Sequence, residues 1–307
     1  MQATVYKSTG SWYIVKDKDG YTYKARLKGS FKLEGLTSTN PIAVGDIVRI
    51  ELEDGTENTG TITEIEDRHN YITRISPHNK NQRHIVASNL DQCLLIATLR
   101  NPKTSMGFMD RFLTVCEMYH IPPVIVFNKH DIYREKEMEL YQSLKSIYEN
   151  VGYKVLLCSF HNTEEMQAID EVLHNKNTLF FGHSGVGKTT LINVLLDMEL
   201  KTSDVSDWSG KGLHTTTFAE MYDLPNGGAI IDTPGIRELA LADTTKKELS
   251  HYFPEMRALL NNCKFNDCMH FNDIECAVKK AVNEGTISED RFISYLNILD
   301  SIEKETY

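Results

Sequence analysis

The sequence predicts three modules: an all-β barrel, a central α/β domain with a mostly parallel sheet, and a short, mostly helical module. Three observations support this. Short alternating runs fill residues 1–72, apolar runs alternate with helical stretches from residue 91 onward, and three cysteines crowd into residues 263–276. We place the boundaries at 1–72, 73–243 and 244–307. A length of 307 residues alone suggests only about two domains.

Composition narrows the class of protein. The 33 Lys and Arg residues are outnumbered by 43 Asp and Glu residues, which gives a net charge of −10 and argues against a polycation that coats nucleic acid. The longest apolar runs are too short to span the roughly 30 Å of a bilayer core. The N-terminal MQATVYKSTG lacks the apolar region of a signal peptide. We therefore expect a cytoplasmic protein with no membrane partner and no disulfides.

The first module carries five short runs with β character. They cover residues 3–6, 11–15, 21–27, 47–52 and 60–65, and Gly- and Asp-containing turns separate them. Five strands in this length predict an OB-fold-like barrel, with an SH3-like barrel as the alternative. Fold type alone leaves open whether the module contacts nucleic acid or only packs on its neighbour.

The connector, residues 73–90, lacks clear periodicity. It contains Arg74, Lys80 and Arg83 and no acidic residue. It fits either a solvated linker or a basic segment that faces RNA.

The strongest motif is GHSGVGKT at 182–189, which follows the apolar run 178–181 and precedes a helical pattern. This is the strand–loop–helix setting of a P-loop, whose backbone N–H groups turn toward phosphate oxygens. Lys188 is expected to reach the β- and γ-phosphates, and the Thr189 hydroxyl to bind Mg²⁺. We predict contacts to the nucleotide from Gly182, His183, Ser184, Gly185, Val186, Gly187, Lys188, Thr189 and Thr190.

A second motif, Asn128-Lys129-His130-Asp131, identifies the base as guanine. The Asp131 carboxylate can accept hydrogen bonds from guanine N1–H and the exocyclic amine, a pair that adenine does not supply. We expect Asn128 to bond the base edge and Lys129 to lie over the ring or brace the P-loop. Ser159, at the end of the next apolar run, fits the loop whose backbone N–H reads guanine O6.

Two further segments complete a nucleotide site. Asp232 and Gly235 form a D-x-x-G motif after the apolar run 229–231. Asp232 is expected to hold Mg²⁺ through water, and the Gly235 N–H to sense the γ-phosphate. Upstream, Thr216 is our choice for a Mg²⁺ ligand that binds only with the γ-phosphate present, with Thr215 and Thr217 as alternatives.

The order of these motifs is unusual. In ordinary GTPases the P-loop comes first and the NKxD motif comes late, whereas here 128–131 precedes 182–189 and 232–235 comes last. The sequence therefore predicts a circularly permuted GTPase domain. The switch segments, 203–217 and 232–240, then lie just before the third module, where we expect the nucleotide state to be transmitted.

Cys263, Cys268, His270 and Cys276 offer three thiolates and one imidazole. This donor set is typical of a closed tetrahedral zinc site with a structural role, because four protein ligands leave no open position. Three buried, unligated cysteines are the alternative.

The chain has a barrel, then a permuted GTPase domain, then a Cys/His module. This layout resembles that of the ribosome small subunit-dependent GTPase A (RsgA) family over essentially the whole chain. The end of the connector, 87–92, is also similar to that family. The resemblance implies a GTP hydrolase with Mg²⁺ and one structural Zn²⁺ that binds the small (30S) ribosomal subunit and its rRNA. It further implies stimulation by that subunit and a part in checking its late maturation.

Two alternatives stay open: a permuted GTPase acting on another RNA or ribosomal particle, and a GTP-gated RNA-binding module with incidental hydrolysis. We expect a monomer that binds GTP and GDP. Ras-like proteins place a water-orienting glutamine after D-x-x-G, where this chain has Ile236, so slow intrinsic hydrolysis is predicted. The family carries a histidine beside the threonines, which makes His214 the candidate catalytic residue.

Overall fold

A computed structural model describes residues 1–9, 11–28, 41–53, 58–75, 83–197, 219–233, 241 and 244–304. The predicted site residues His214, Thr216 and Gly235 lie outside these ranges.

The N-terminal module is a closed five-stranded barrel. Its strands are β1 (Gln2–Ser8), β2 (Tyr13–Asp17), β3 (Thr22–Leu27), β4 (Ile47–Leu52) and β5 (Thr59–Ile65). They follow the order β1-β2-β3-β5-β4, and a β1–β4 pairing closes the barrel, with β3–β5 parallel and the other pairs antiparallel. Val5, Val15 and Ile62 are fully buried inside because alternate residues of each strand point inward. The predicted OB-like barrel is confirmed.

The connector contributes a strand to a β-hairpin, so it is not a solvated linker. Strands β6 (Tyr71–Ile75) and β7 (Arg83–Ser88) pair antiparallel, with a register shift between Ile72 and Thr73 that breaks the sequence alternation. Asp46 of the barrel accepts bonds from Arg68 and from the Ser88 hydroxyl at 2.5 Å each. This largely buried ion pair fixes the hairpin against the barrel.

The central domain is an α/β sheet, as predicted. Its elements are β8 (Gln92–Ala97), α1 (Met106–Met118), β9 (Pro123–Phe127), α2 (Glu135–Val151), β10 (Lys154–Leu157), α3 (Thr163–Leu173), β11 (Asn177–Phe181), α4 (Lys188–Leu196), β12 (Glu220–Asp223) and β13 (Ala229–Asp232). Strands β10-β9-β8-β11-β13 are parallel, and their residues form near-continuous buried runs because helices cover both faces. The antiparallel strand β12 was not predicted.

Strand β12 also joins the central sheet to the barrel. It pairs antiparallel with β1, where Lys7 lies opposite Glu220 and the two side chains form an ion pair of 2.8 Å. Asp223 contacts both the Tyr6 hydroxyl and the Lys16 ammonium. The result is one continuous sheet of eleven strands.

The C-terminal segment is mostly helical. It contains α5 (Pro254–Arg257), α6 (Ala277–Asn283) and α7 (Glu289–Lys304), with short 3-10 turns at Leu249–Tyr252 and Leu260–Asn262. Helix α7 packs on α1, and Arg291 lies in the interface, where it donates to Asp110 at 2.6 Å and to Glu255 at 2.8 Å. Among the described residues, no helix combines the length and apolar character needed to cross a bilayer.

Candidate nucleotide site and metal centre

The P-loop sits between β11 and α4, where two of its glycines have no substitute. Gly182 and Gly187 have φ of 152° and 108°, in the region that side chains rarely adopt. A Cβ on Gly182 would overlap the Ile96 carbonyl oxygen, and one on Gly187 would overlap the Asn128 amide. The chain can therefore turn its backbone N–H groups into the loop only with glycine at these positions.

Lys188 begins α4 and supplies the positive charge of the site. Its Nζ donates to the carbonyl oxygens of Gly182 at 2.5 Å and His183 at 2.9 Å. Burial lowers the pKa of Lys188, and the nearby Asp232 carboxylate opposes that effect. Thr189 and Thr190 follow in the first turn of α4, half-buried, and Ser184 is exposed in the loop. A helix N-terminus with an adjacent ammonium is a phosphate-binding arrangement.

Asn128 bonds two neighbouring loops. Its Nδ2 donates to the Val186 carbonyl at 2.8 Å, and its Oδ1 accepts from the Phe160 N–H at 3.1 Å. The side chain is buried and ties the P-loop to the loop after β10, and its contact with a base edge stays a prediction. One amide can donate and accept at once, so this position is well suited to joining two loops.

Lys129 and Tyr133 add to this frame. The Lys129 Nζ donates to the Gly185 carbonyl at 2.6 Å and the Asn101 carbonyl at 2.7 Å, so it braces the P-loop, the second of its two expected positions. The Tyr133 hydroxyl donates to the Asn128 carbonyl and accepts from the Leu99 N–H, both at 2.8 Å. No sequence motif identifies Tyr133, which directly follows the short 3-10 turn His130–Ile132.

The remaining base-side residues line one loop edge. Asp131 is exposed, and His130 Nδ1 lies 3.2 Å from Glu165 Oε2. The same carboxylate oxygen accepts from the Ser159 N–H at 2.7 Å. The N–H predicted to read guanine O6 is therefore bonded to Glu165 inside the loop.

Asp232, at the end of β13, has the properties of a magnesium partner. It is buried, and within the described part of the chain its Oδ1 has no hydrogen-bond partner. Burial raises the pKa of Asp232 to about 6, although Lys188 opposes the rise. A buried carboxylate with an unpaired oxygen fits a bound cation or its water shell, because either would stabilise the charged form.

The four predicted metal ligands converge on one point. Their ligand atoms all lie within 4.8 Å of one another. His270 Nδ1 is 3.6 Å from Cys263 Sγ, 3.4 Å from Cys268 Sγ and 3.3 Å from Cys276 Sγ. Metal–ligand bonds of about 2.0–2.3 Å at tetrahedral angles give an N···S separation of roughly 3.5 Å. The cluster therefore has the dimensions of a tetrahedral metal site.

The surroundings of the cluster hold its ligands in place. Cys276 is the N-cap of α6, and its sulfur accepts from the Lys279 N–H at 3.4 Å. His270 has a φ of 60°, which turns its Nδ1 toward the three sulfurs. Burial raises the pKa of Cys268 to about 12 and also raises the pKa of Cys276, so these two thiols need a cation to ionise near neutral pH.

A P-loop, an NKxD loop and the end of a D-x-x-G strand meet at the carboxyl edge of one parallel sheet, in permuted order. This arrangement defines a circularly permuted GTPase.

Comparisons with known proteins agree with this class. The family model of the RsgA GTPase matches residues 65–242, and that of the RsgA N-terminal domain matches residues 2–62. The chain is 48% identical to the "Small ribosomal subunit biogenesis GTPase RsgA" of Bacteroides fragilis over 308 aligned residues, which cover 100% of this chain and 99% of that protein.

Two solved structures share the fold over nearly the whole chain. YjeQ from Thermotoga maritima has a TM-score of 0.78 and 31% identity, covering 98% of each chain. YloQ, described as a circularly permuted GTPase, has a TM-score of 0.76 and 29% identity, covering 99% of this chain and 95% of its own. The chain belongs to the RsgA GTPase family, and it is a GTP hydrolase.

Proposed function

We propose that this GTPase acts in biogenesis of the small ribosomal subunit. It binds the 30S subunit and its rRNA in the cytoplasm as a monomer, is stimulated by the subunit, and assists its late maturation. The observation that carries the proposal is the end-to-end match to a relative of that printed name, with 48% identity and both chains covered almost completely.

The barrel surface supports contact with RNA. Residues 1–28 contain six Lys and Arg and two Asp, against a net charge of −10 for the whole chain. Lys24, Arg26 and Lys28 are exposed, and so are the rings of Trp12 and Tyr21. Basic groups neutralise phosphates and exposed aromatic rings can stack on bases, so this face is suited to rRNA.

We assign roles around the nucleotide. Asp131 would read guanine, Thr189 and Thr216 would be the ligands of Mg²⁺, and Asp232 would hold the ion through water. Gly235 would sense the γ-phosphate. The orphaned oxygen of Asp232 supports the magnesium assignment.

Hydrolysis requires that a water be oriented on the γ-phosphate, and we assign this to His214. A neutral imidazole can accept a proton from that water near pH 7. His214→Ala is expected to abolish subunit-stimulated turnover and to leave GTP affinity unchanged. Full stimulation in this variant would remove the assignment.

The proposal also assigns zinc to the site formed by Cys263, Cys268, His270 and Cys276. Three thiolates and one imidazole form a soft donor set that favours Zn²⁺ over Mg²⁺ or Ca²⁺. A bound ion would neutralise the thiolates and stabilise the segment between the 3-10 turn Leu260–Asn262 and α6, which has little apolar core of its own.

The deciding experiment measures GTP turnover by the protein alone, with isolated small subunits, and with large subunits. Selective stimulation by small subunits is expected. Stimulation by large subunits or free RNA would favour action on another particle, and tight GTP-dependent binding without stimulation would favour a binding module.

A variant set tests the barrel surface. We expect a combined variant with Lys24→Gln, Arg26→Gln and Lys28→Gln to bind the small subunit more weakly. The slope of log K against log[salt] should become shallower by about 0.9 for each phosphate contact that is lost. The matched control replaces the exposed Lys136 and Lys280 and the half-exposed Lys145 with Gln, which removes the same charge from other surfaces. Equal weakening by both sets would contradict a specific barrel contact.

A further inference from the structure

An aromatic side chain outside the nucleotide motifs contacts the P-loop. The ring of His183, the second residue of the P-loop, stacks on Phe108 with 3.7 Å between centroids and 26° between planes. Phe108 also stacks on Phe181, the last residue of β11, at 5.5 Å and 10°. One ring from α1 therefore contacts the residues on both sides of Gly182.

Phe108 is itself held in place by α1. It is the third residue of the helix, and its N–H donates to the hydroxyl of the N-cap Ser105 at 3.3 Å. One turn later in α1, the buried Phe112 also stacks on the ring of Phe181, with 4.6 Å between centroids and 12° between planes. Residues four apart share a helix face, so the two phenyl rings form a fixed surface beneath β11 and the P-loop.

The backbone of His183 organises the rest of the loop. Its carbonyl oxygen accepts from the Lys188 ammonium at 2.9 Å and from the Val186 N–H at 3.5 Å. Burial lowers the pKa of His183, and the charge of Lys188 lowers it further, so the stacked imidazole is neutral. A shift of this residue would move both the ammonium and the turn that presents the N–H groups.

We infer that Phe108 is a positioning residue of the nucleotide site, which acts through His183 to hold the P-loop in its phosphate-binding conformation. Donors that are held in place bind phosphate without a further ordering cost. The loop contacts the α- and β-phosphates of GDP and GTP alike, so loss of the stack weakens both nucleotides. It raises KM and leaves kcat at saturating GTP unchanged, because ground state and transition state lose the same interaction.

The test compares Phe108→Leu with Phe108→Tyr in the full-length, metal-loaded chain without ribosomes. Loss of the stabilisation from one aromatic pair should weaken GDP and GTP binding by about 2- to 13-fold in the leucine variant. Tyrosine keeps the ring and is expected to bind within about twofold of the native protein. Fluorescent-nucleotide titration and steady-state turnover give the affinities, KM and kcat.

Two further variants separate positioning from general stability. His183→Ala removes the other half of the stack from a half-exposed loop, so it tests the same contact without opening the core. The double variant with Phe108→Leu is expected to bind no more weakly than the weaker single variant. Phe292→Leu is the control, because it removes a similar stack on Tyr295, at 6.2 Å and 15°, within the C-terminal helix α7 and outside the nucleotide loops, and it should leave nucleotide affinity unchanged.

Four results would overturn the inference. They are native affinity in Phe108→Leu, equal weakening by leucine and tyrosine, fully additive losses in the double variant, and an equal loss in Phe292→Leu. Failure of small subunits to stimulate turnover would leave this inference intact, because every measurement uses the isolated protein.

Discussion

Replacing Arg291 with methionine tests the buried contact between the C-terminal helices and α1. The Arg291 side chain is 1% exposed and bonds the Asp110 carboxylate, which is 0% exposed. Burial alone would lower the pKa of Arg291, but Asp110 and Glu255 raise it above its usual value, so the guanidinium is charged. Methionine is shorter and has no charge, so it leaves Asp110 buried without the Arg291 guanidinium.

The expected loss follows from this geometry. Removing one partner of a buried ion pair costs about 3–5 kcal/mol. Lost contact between the guanidinium and the Phe253 ring, 4.7 Å from its centroid, acts in the same direction. Domains of about 150–250 residues lose about 2–4 °C of melting temperature per kcal/mol, so the melting temperature of the variant should fall by about 6–20 °C.

The loss should also depend on pH. Burial raises the pKa of Asp110, and Arg291 opposes the rise, so the pKa increases further in Arg291→Met. A carboxyl whose pKa is higher in the folded state favours folding at low pH, and this contribution disappears as pH rises through the folded-state pKa. The deficit of the variant is therefore expected to shrink as the pH is lowered through the folded-state pKa of Asp110.

Thermal unfolding followed by far-UV circular dichroism measures both effects. The control is Arg257→Met, which removes a half-exposed arginine bonded to Glu117 of the same helix α1 at 3.0 Å. Exposed pairs contribute about 0–1 kcal/mol, so the control should melt close to the native protein. Equal losses in both variants, or a deficit that does not change with pH, would refute the reasoning.

Three other substitutions test the sites. Gly187→Ala places a Cβ against the Asn128 amide at a φ of 108°, which costs about 1–3 kcal/mol of strain. This variant should bind GTP more weakly in calorimetric titration, and native affinity would contradict the need for glycine at this position. Cys276→Ser should lose bound metal in elemental analysis and lower the melting temperature, and full metal content would exclude Cys276 as a ligand. Asp131→Asn should weaken GTP by about 1.5–3 kcal/mol and reduce its advantage over ATP in competition binding, whereas unchanged selectivity would remove Asp131 from base recognition.

The nucleotide loops were predictable because their signals are local. The P-loop lies between an apolar run and a helix, and α4 begins at Lys188 as the motif requires. The metal ligands lie within 14 positions, so a short loop can bring them together despite an uncommon spacing. The domain boundaries proposed from the sequence stay a prediction.

Other features depend on partners far away in the chain. Strand β12 has only four residues and no apolar alternation, and it forms because β13 and β1 flank it. Asp110 and Arg291 are separated by 181 positions, and no local pattern marks either as buried. The identity of residue 128 as asparagine does not predict which groups its amide bonds, because a base edge and a neighbouring loop can use the same donor and acceptor.

The pairing of β1 with β12 has a consequence for work with parts of this protein. A GTPase domain trimmed of its barrel would have β12 as the outermost strand, with a row of backbone N–H and C=O groups open to solvent. Glu220 would also lose the Lys7 ammonium, and Asp223 would lose that of Lys16. The barrel thus covers this edge of the sheet, and the trimmed domain is expected to self-associate more readily than the whole chain.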